Sequence, residues 1–249
     1  MATVNPYSIL ADCYDDVMEH VDYEEWAWYI QEVCDEHDHQ PGDVLELGCG
    51  TGSFASFFLP LDGVRSFRAV DASADMIRVA KKKEEAAEAI FAVQSFEELG
   101  ATVAEHEKYD TVLLLYDGLN YLMKKNEIEG LLERVAWVLR PGGIFIFDQS
   151  TPANSINNAA YFEDSGQSGD VRYVRKSEYD AECAIHTNSF EMTKDGVTYE
   201  EVHRQQCYTG LQIQEVISSS SLKIESGYSG FSLEAADTES ERIHWVVRK

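Results

Sequence analysis

The chain has 249 residues, with 45 Asp and Glu against 20 Lys and Arg, for a formal net charge of −25. That length and a 44% hydrophobic content suffice for one large domain with a real core, and acids spread along the whole chain exclude a disordered acidic tail. The charge opposes phosphate backbones and anionic lipid surfaces, so neither nucleic acid nor a membrane is an expected partner. Five cysteines without a C-x-x-C pair fit reduced, mostly packed thiols rather than a disulfide framework or a zinc site. The longest apolar runs, 112–116 and 144–147, are far short of a bilayer span, and the first ten residues show no basic stretch leading into an apolar one. The expectation is a cytoplasmic protein, a monomer or a homodimer.

Residues 7–18 and 23–34 carry aromatic and apolar side chains at helical spacing and predict two amphipathic helices. From residue 43 to 148, short β-branched or aromatic runs alternate with helix-length segments, the pattern of consecutive β-α-β units and a doubly wound, mostly parallel sheet. Strands are predicted at 44–47, 66–70, 90–93, 111–116 and 143–148, with helices over 75–89 and 126–139, the latter stopped by Arg140-Pro141-Gly142-Gly143. A Ser/Asn/Gly-rich connection over 150–170 leads into alternating segments at 171–179, 184–193 and 197–208, with Asp195-Gly196 as a hairpin turn. A short helix at 210–217 and strands at 222–231 and 241–247 close the chain and bring the main sheet to seven strands. The division that follows is an α/β domain over 1–149 plus 210–249, with an N-terminal helical lid, and an inserted antiparallel β subdomain over 150–209.

The run Val44-Leu45-Glu46-Leu47-Gly48-Cys49-Gly50-Thr51-Gly52-Ser53 is an apolar strand entering a Gly-x-Gly-x-Gly loop and then a helix. Glycines at such a turn let the backbone bend tightly and let a ligand touch it, which implies a nucleotide-type ligand. A dinucleotide fingerprint needs glycine at position 53, where Ser53 stands, and no Gly-Lys-Ser/Thr follows to make a P-loop. One strand on, Asp71 lies 21 residues past Gly50, where a carboxylate can accept both hydroxyls of a ribose or cap the next helix.

Together VLELGCGTG, AVDAS, YDTVLLLYDGLNYL and LRPGGIFIFD resemble the motifs of class I S-adenosylmethionine-dependent methyltransferases, with SERIHWVVRK similar to their last antiparallel strand. The late β insertion, YSILADCYDDVM and YEEVHRQQCY look like the bacterial small-molecule branch, which includes sugar N-methyltransferases. The resemblance implies S-adenosylmethionine as cofactor and S-adenosylhomocysteine as product. It implies that Gly48, Gly50 and Gly52 pass under the methionine portion, with Glu46 ordering the loop, Asp71 on the ribose, and Ala72 and Met76 beside the adenine. Tyr14 resembles a tyrosine that closes over the methionine end. Relatives often carry an acid for the adenine amino group after the third strand. Here Val93-Gln94-Ser95-Phe96 stands instead, so Gln94, Ser95 or a backbone carbonyl replaces the acid and Phe96 supplies a ring face.

Methyl transfer from a sulfonium is an in-line displacement, so alignment and desolvation can supply most of the rate and a base is needed only for a protonated acceptor. Candidates lie past the carboxyl ends of the strands. Tyr116 borders the cofactor, Asp117 orients an amine or caps its loop, and Tyr121 forms a wall. His203, on an alternating strand of the insertion, is a base near neutral pH or a surface residue. Asp117 and the Asp148-Gln149 pair give too few oxygen ligands for a metal, and none is expected. Trp26 and Tyr29 are predicted to pack on the core, Trp28 and Tyr23 to roof the acceptor. The reading is methyl transfer to nitrogen or oxygen of a small metabolite. The alternatives are a non-catalytic S-adenosylmethionine-binding protein, an NAD(P)-dependent reductase and an RNA methyltransferase, the last opposed by the charge.

Overall fold

The computed structural model describes residues 2–100, 108–161 and 163–249. In chain order these form β1 (Ala2–Thr3), α1 (Tyr14–Val17), α2 (Tyr23–Glu36), β2 (Gly42–Leu47), α3 (Ser53–Phe58), β3 (Val64–Asp71), α4 (Ala74–Ala80), β4 (Ile90–Val93), β5 (Tyr109–Leu114), α5 (Lys125–Val138) and β6 (Leu139–Ser150). There follow α6 (Pro152–Asn157), β7 (Glu163–Ser168), β8 (Val171–Asp180), β9 (Ile185–Lys194), β10 (Val197–Gln206), α7 (Gly210–Ser218), β11 (Lys223–Ser229) and β12 (Arg242–Arg248).

Two sheets result. The larger has seven strands in the order β11-β12-β6-β5-β2-β3-β4, parallel from β6 to β4 and antiparallel where β12 joins β6 and β11. This is the doubly wound, Rossmann-like arrangement that the alternating segments predict. Along β6, Ile144 and Ile146 face α2 and α3 with Ile30, Val33, Phe54 and Phe58, whereas Phe145 and Phe147 face α5 and α7 with Leu131, Val135 and Ile213. Both faces of the strand are buried, which is why its sequence reads as an unbroken apolar run. The helices over these faces are capped by their own sequence. Asp22 accepts the Glu25 amide at 2.9 Å to start α2, and Thr209 and Gln212 form a reciprocal cap on α7.

The smaller sheet, in the order β1-β10-β9-β8-β7, is antiparallel except at β1, which runs parallel to β10. Neither β1 nor β7 was legible beforehand, because one is two residues long and the other, Glu163–Ser168, is polar throughout and exists by pairing with β8. The helix predicted at 7–18 is instead a short 3-10 turn, Leu10–Asp12, followed by the single turn of α1. Its amides are spoken for elsewhere: those of Tyr7, Ile9 and Leu10 all bond to the side chain of Glu201 on β10, and Tyr7 takes a left-handed φ of 62°. Helix 75–89 likewise breaks after Ala80, where Lys83 turns to an extended conformation and pairs with Asp15 at 2.6 Å. Strand β5 stops at Leu114, two residues short of expectation, because Tyr116 and Asp117 turn left-handed at φ 60° and 62°. Among the described residues no helix is long and apolar enough to cross a membrane.

Candidate functional site

At the carboxyl ends of β2 and β3 the chain opens a cavity of about 610 Å³. Its floor is the loop after β2. Gly48 and Gly50 take left-handed φ values of 64° and 54°, which turns the Gly50 amide onto Asp71 Oδ2 at 2.9 Å. Asp71 Oδ1 receives the Ser73 amide at 2.8 Å, and the Ser73 hydroxyl in turn caps α4 through the Met76 amide. Burial raises the Asp71 carboxyl while these two amides draw it back. Glu46 is buried in the same wall, pushed well above the usual carboxylate range by burial and then by Asp71, and its Oε2 has no hydrogen-bond partner among the described residues. Met76, Ala72, Phe96 and Leu122 add apolar surface to its wall, which Ser95 also lines. Tyr14 covers the loop, with its Cε1 4.0 Å from where a Cβ on Gly50 would stand.

Of the residues expected to bind a cofactor, Tyr14, Glu46, Gly48, Gly50, Asp71, Ala72, Met76, Ser95, Phe96 and Tyr116 line this cavity. Gly52 and Gln94 lie outside its wall. Gly52 is the left-handed cap of α3, and a Cβ there would sit 2.8 Å from the Phe91 ring, so its glycine serves packing. Gln94 is turned away, donating its side-chain nitrogen to the Glu98 carbonyl at 3.2 Å. Of the two residues expected in an acceptor roof, Tyr23 lines the larger cavity instead and Trp28 is 59% exposed; Trp26 packs in the core as expected and also reaches the wall of the larger cavity.

A second cavity, of about 310 Å³, lies between the smaller sheet, α6 and the loop after β5. Asp117 and His203 both reach it. The Asp117 carboxylate accepts from Arg242 Nη1 at 2.7 Å, and the same nitrogen bonds to the wholly buried Asp148, whose Oδ2 also takes the Asp117 amide at 3.1 Å. Burial raises the Asp117 carboxyl and Arg242 opposes the rise. Burial works against the charge of Arg242, yet the two acids hold it above the usual guanidinium range. His203 is not on a half-exposed strand face: it is 2% exposed, with Nδ1 3.1 Å from the Tyr121 hydroxyl and Nε2 3.5 Å from Glu201 Oε2. The Tyr121 hydroxyl bonds onward to that of Tyr7. Burial disfavours the Glu201 charge, but His203 and the amides of Leu10, Ile9 and Tyr7 hold its carboxyl below the usual range.

Glu201, Arg242 and Tyr7 were missed in the sequence. For Glu201 a signal existed, since an acid two residues before a histidine on a strand shares its face. Arg242 and Tyr7 reach the site only through the fold. Among the described residues no three His, Cys, Asp or Glu side chains converge to hold a metal ion.

Residues 44–143 match the methyltransferase domain family. A candidate methyltransferase of Bacillus subtilis, YqeM, is 28% identical over 251 residues, covering 98% of this chain and 97% of that protein. Among solved structures, an S-adenosylmethionine-dependent methyltransferase from Clostridium acetobutylicum superposes with a TM-score of 0.77 at 23% identity, covering 97% of this chain and 98% of that one. The S-adenosylmethionine-bound amino pentose methyltransferase CalS10 of Micromonospora echinaspora superposes at 0.66 and 13% identity, covering 94% and 95%. The match over residues 44–143 and the fold support a class I S-adenosylmethionine-dependent methyltransferase. The residues of the larger cavity fit that cofactor: the charged side chains lining it, Glu46, Asp71, Asp75 and Glu97, are all acids, and the orphaned Glu46 oxygen suits a cationic ligand where a pyrophosphate would be repelled.

Proposed function

We propose that the chain transfers the methyl group of S-adenosylmethionine to nitrogen or oxygen of a small polar metabolite held in the 310 Å³ cavity. One observation carries the reading: Tyr7, Tyr14, Tyr116 and Tyr121 line both cavities, so ligands in the two meet across these rings. The smaller cavity is of metabolite size, and its wall is rich in amide and hydroxyl groups, among them Asn154, Asn158, Ser177, Asn188 and Gln205. The net charge of −25 argues against a nucleic-acid acceptor, and the structural likeness to an amino pentose methyltransferase favours a small one.

Bound S-adenosylmethionine supplies an electrophilic methyl on a sulfonium. The protein's part is alignment and exclusion of water. Glu46 and Asp71 fix the two polar ends of the cofactor, Tyr14 closes over the loop at Gly50, and residues 5–8 lie across the cavity as a strap, tied by the Ser73 hydroxyl to the Tyr7 carbonyl at 3.1 Å. Asp117 orients the acceptor from the opposite wall, its position fixed by Arg242, and His203 stands within reach of a proton leaving the acceptor.

The test is incubation of the purified protein with methyl-labelled S-adenosylmethionine and fractionated bacterial metabolite extract, following S-adenosylhomocysteine and labelled product by mass spectrometry, with Asp71→Ala as control. A labelled small molecule that disappears with the variant supports the reading. Tight S-adenosylhomocysteine binding with no labelled product from any fraction sinks it.

A further inference from the structure

Tyr121, His203 and Glu201 form a line that starts at the tyrosine wall shared by the two cavities and ends at a wholly buried carboxylate. The Tyr121 hydroxyl lies 3.1 Å from His203 Nδ1, and His203 Nε2 lies 3.5 Å from Glu201 Oε2. His203 is held edge-on by Tyr7 and Phe190, with ring centroids 4.6 and 5.4 Å away, so the imidazole cannot swing off this line. Glu201 Oε1 takes the amides of Ile9 at 2.7 Å and Leu10 at 3.1 Å, and Oε2 takes that of Tyr7 at 2.7 Å. No methyl-transfer alignment needs such a line. A proton in search of a place to go does.

We infer that the acceptor atom arrives carrying a proton, as an alkylammonium or a hydroxyl, and that Tyr121, His203 and Glu201 remove it; the inference rests on the methyl-transfer reading above. The acceptor gives its proton to Tyr121 Oη as the tyrosine passes its own to His203 Nδ1. The imidazolium so formed is held by Glu201, and the 3.5 Å gap is one that a charged ring would draw tight. The freed lone pair then bonds to the methyl carbon as the carbon–sulfur bond breaks, its electron pair staying on sulfur. An amine leaves as the methylated ammonium and an alcohol as the methyl ether, each with one proton left on His203 for water to take.

The surroundings favour this class over an acceptor that is already an anion. Among the described residues the cavity's one arginine, Arg175, is paired with Asp164 at 2.7 Å, and its one acid, Asp117, is paired with Arg242 at 2.7 Å, so no unpaired lysine or arginine lines it to receive a carboxylate. Glu201 also acts on the strap, since the same carboxylate that faces His203 at 3.5 Å seats residues 7–10. Tyr7 reaches both ends of the line, its amide on Glu201 and its hydroxyl on Tyr121. Glu201 is thus a positioning residue, and Tyr121 the group that meets the acceptor.

The experiment has two readouts. S-adenosylhomocysteine formation is followed with glucosamine, ethanolamine and inositol in one arm and benzoate and pyridine in the other. Turnover is expected in the first arm, with kcat lowered about 100-fold in Tyr121→Phe and His203→Gln while KM stays near the wild-type value. His203→Gln keeps wild-type affinity for S-adenosylhomocysteine, which separates a lost relay from a lost fold. The second readout is nitrogen NMR of the cofactor-free protein, where His203 is expected as the Nε2–H tautomer with Nδ1 bare. Turnover confined to the second arm, unchanged kcat in both variants, or an Nδ1–H tautomer overturns the relay. Silence in both arms instead removes the methyl-transfer reading beneath it.

Discussion

The backbone amide of Gly50 donates to Asp71 Oδ2 at 2.9 Å, while Asp71 Oδ1 takes the amide of Ser73 at 2.8 Å. The glycine loop after β2 and the acid that ends β3 are therefore one hydrogen-bonded unit, with lone pairs on Asp71 free for further donors. Asp71→Ala removes the loop's anchor together with the oxygens proposed to take the ribose hydroxyls. Affinity for S-adenosylhomocysteine is expected to fall at least tenfold, about 1.4 kcal/mol, and stability by about 1–3 kcal/mol for the amides left unpaired. Asp71→Asn, which keeps one acceptor oxygen, should fall between. Calorimetric titration and thermal unfolding check both, and wild-type affinity in Asp71→Ala refutes the ribose role.

Burial, reinforced by Asp71, holds the Glu46 carboxyl well above the ordinary glutamate range. The folded chain there keeps a proton that the unfolded chain has lost, so this group's effect on stability becomes unfavourable as pH rises from the ordinary glutamate range toward the elevated folded value. Glu46→Gln should flatten that decline. An ammonium group bound beside Glu46 favours the ionised carboxylate, so S-adenosylhomocysteine binding should expel protons from the wild type and not from the variant. Titrations in two buffers of different ionisation heat measure this, and equal proton release in both proteins would place the cation elsewhere.

Gly50 and Gly52 stand two residues apart in one motif yet do different work. Both are left-handed, so alanine strains either by about 1 kcal/mol. At Gly52 the added Cβ also meets the Phe91 ring at 2.8 Å, whereas at Gly50 its nearest neighbour is Tyr14, 4.0 Å away beside the cofactor cavity. Gly52→Ala should therefore be the less stable protein and Gly50→Ala the weaker S-adenosylhomocysteine binder. A reversed order, read by denaturation and calorimetry, would return Gly52 to the cofactor.

What was legible in the sequence was local. The loop at Gly48 and Gly50, the acid at Asp71 and the apolar runs of β2, β5 and β6 need only neighbours in the chain or the next strand to take shape. What was not legible depends on partners far away. Residues 7–18 have helical periodicity, but Glu201, about 190 residues on, claims their amides and unwinds the helix. His203 reads as half exposed by alternation, yet the N-terminal segment that Glu201 seats covers it. The glycine spacing suggests three cofactor residues, and the Phe91 ring beside Gly52, which only the fold brings there, gives that glycine a packing reason of its own.

Arg242 sits between two acids, Asp117 at 2.7 Å and the fully buried Asp148, and ties the last strand of the large sheet to the loop that walls the smaller cavity. Replacing it by methionine leaves two carboxylates facing each other without a cation. Breaking such a pair from one side costs about 3–5 kcal/mol, chiefly through the uncompensated charge. Without the guanidinium the Asp117 carboxyl, already raised by burial, rises further, so it protonates more readily in the folded variant than in the unfolded chain. The stability gap between Arg242→Met and the wild type should therefore narrow as pH falls toward the carboxylate range. Adding Asp117→Asn should recover part of the loss at neutral pH by removing one of the two charges. Affinity for S-adenosylhomocysteine should change little, because Arg242 does not line the larger cavity. Denaturant unfolding at two pH values decides it, and a neutral-pH loss below about 1 kcal/mol, the scale of an exposed pair, would show that Arg242 does not hold this loop.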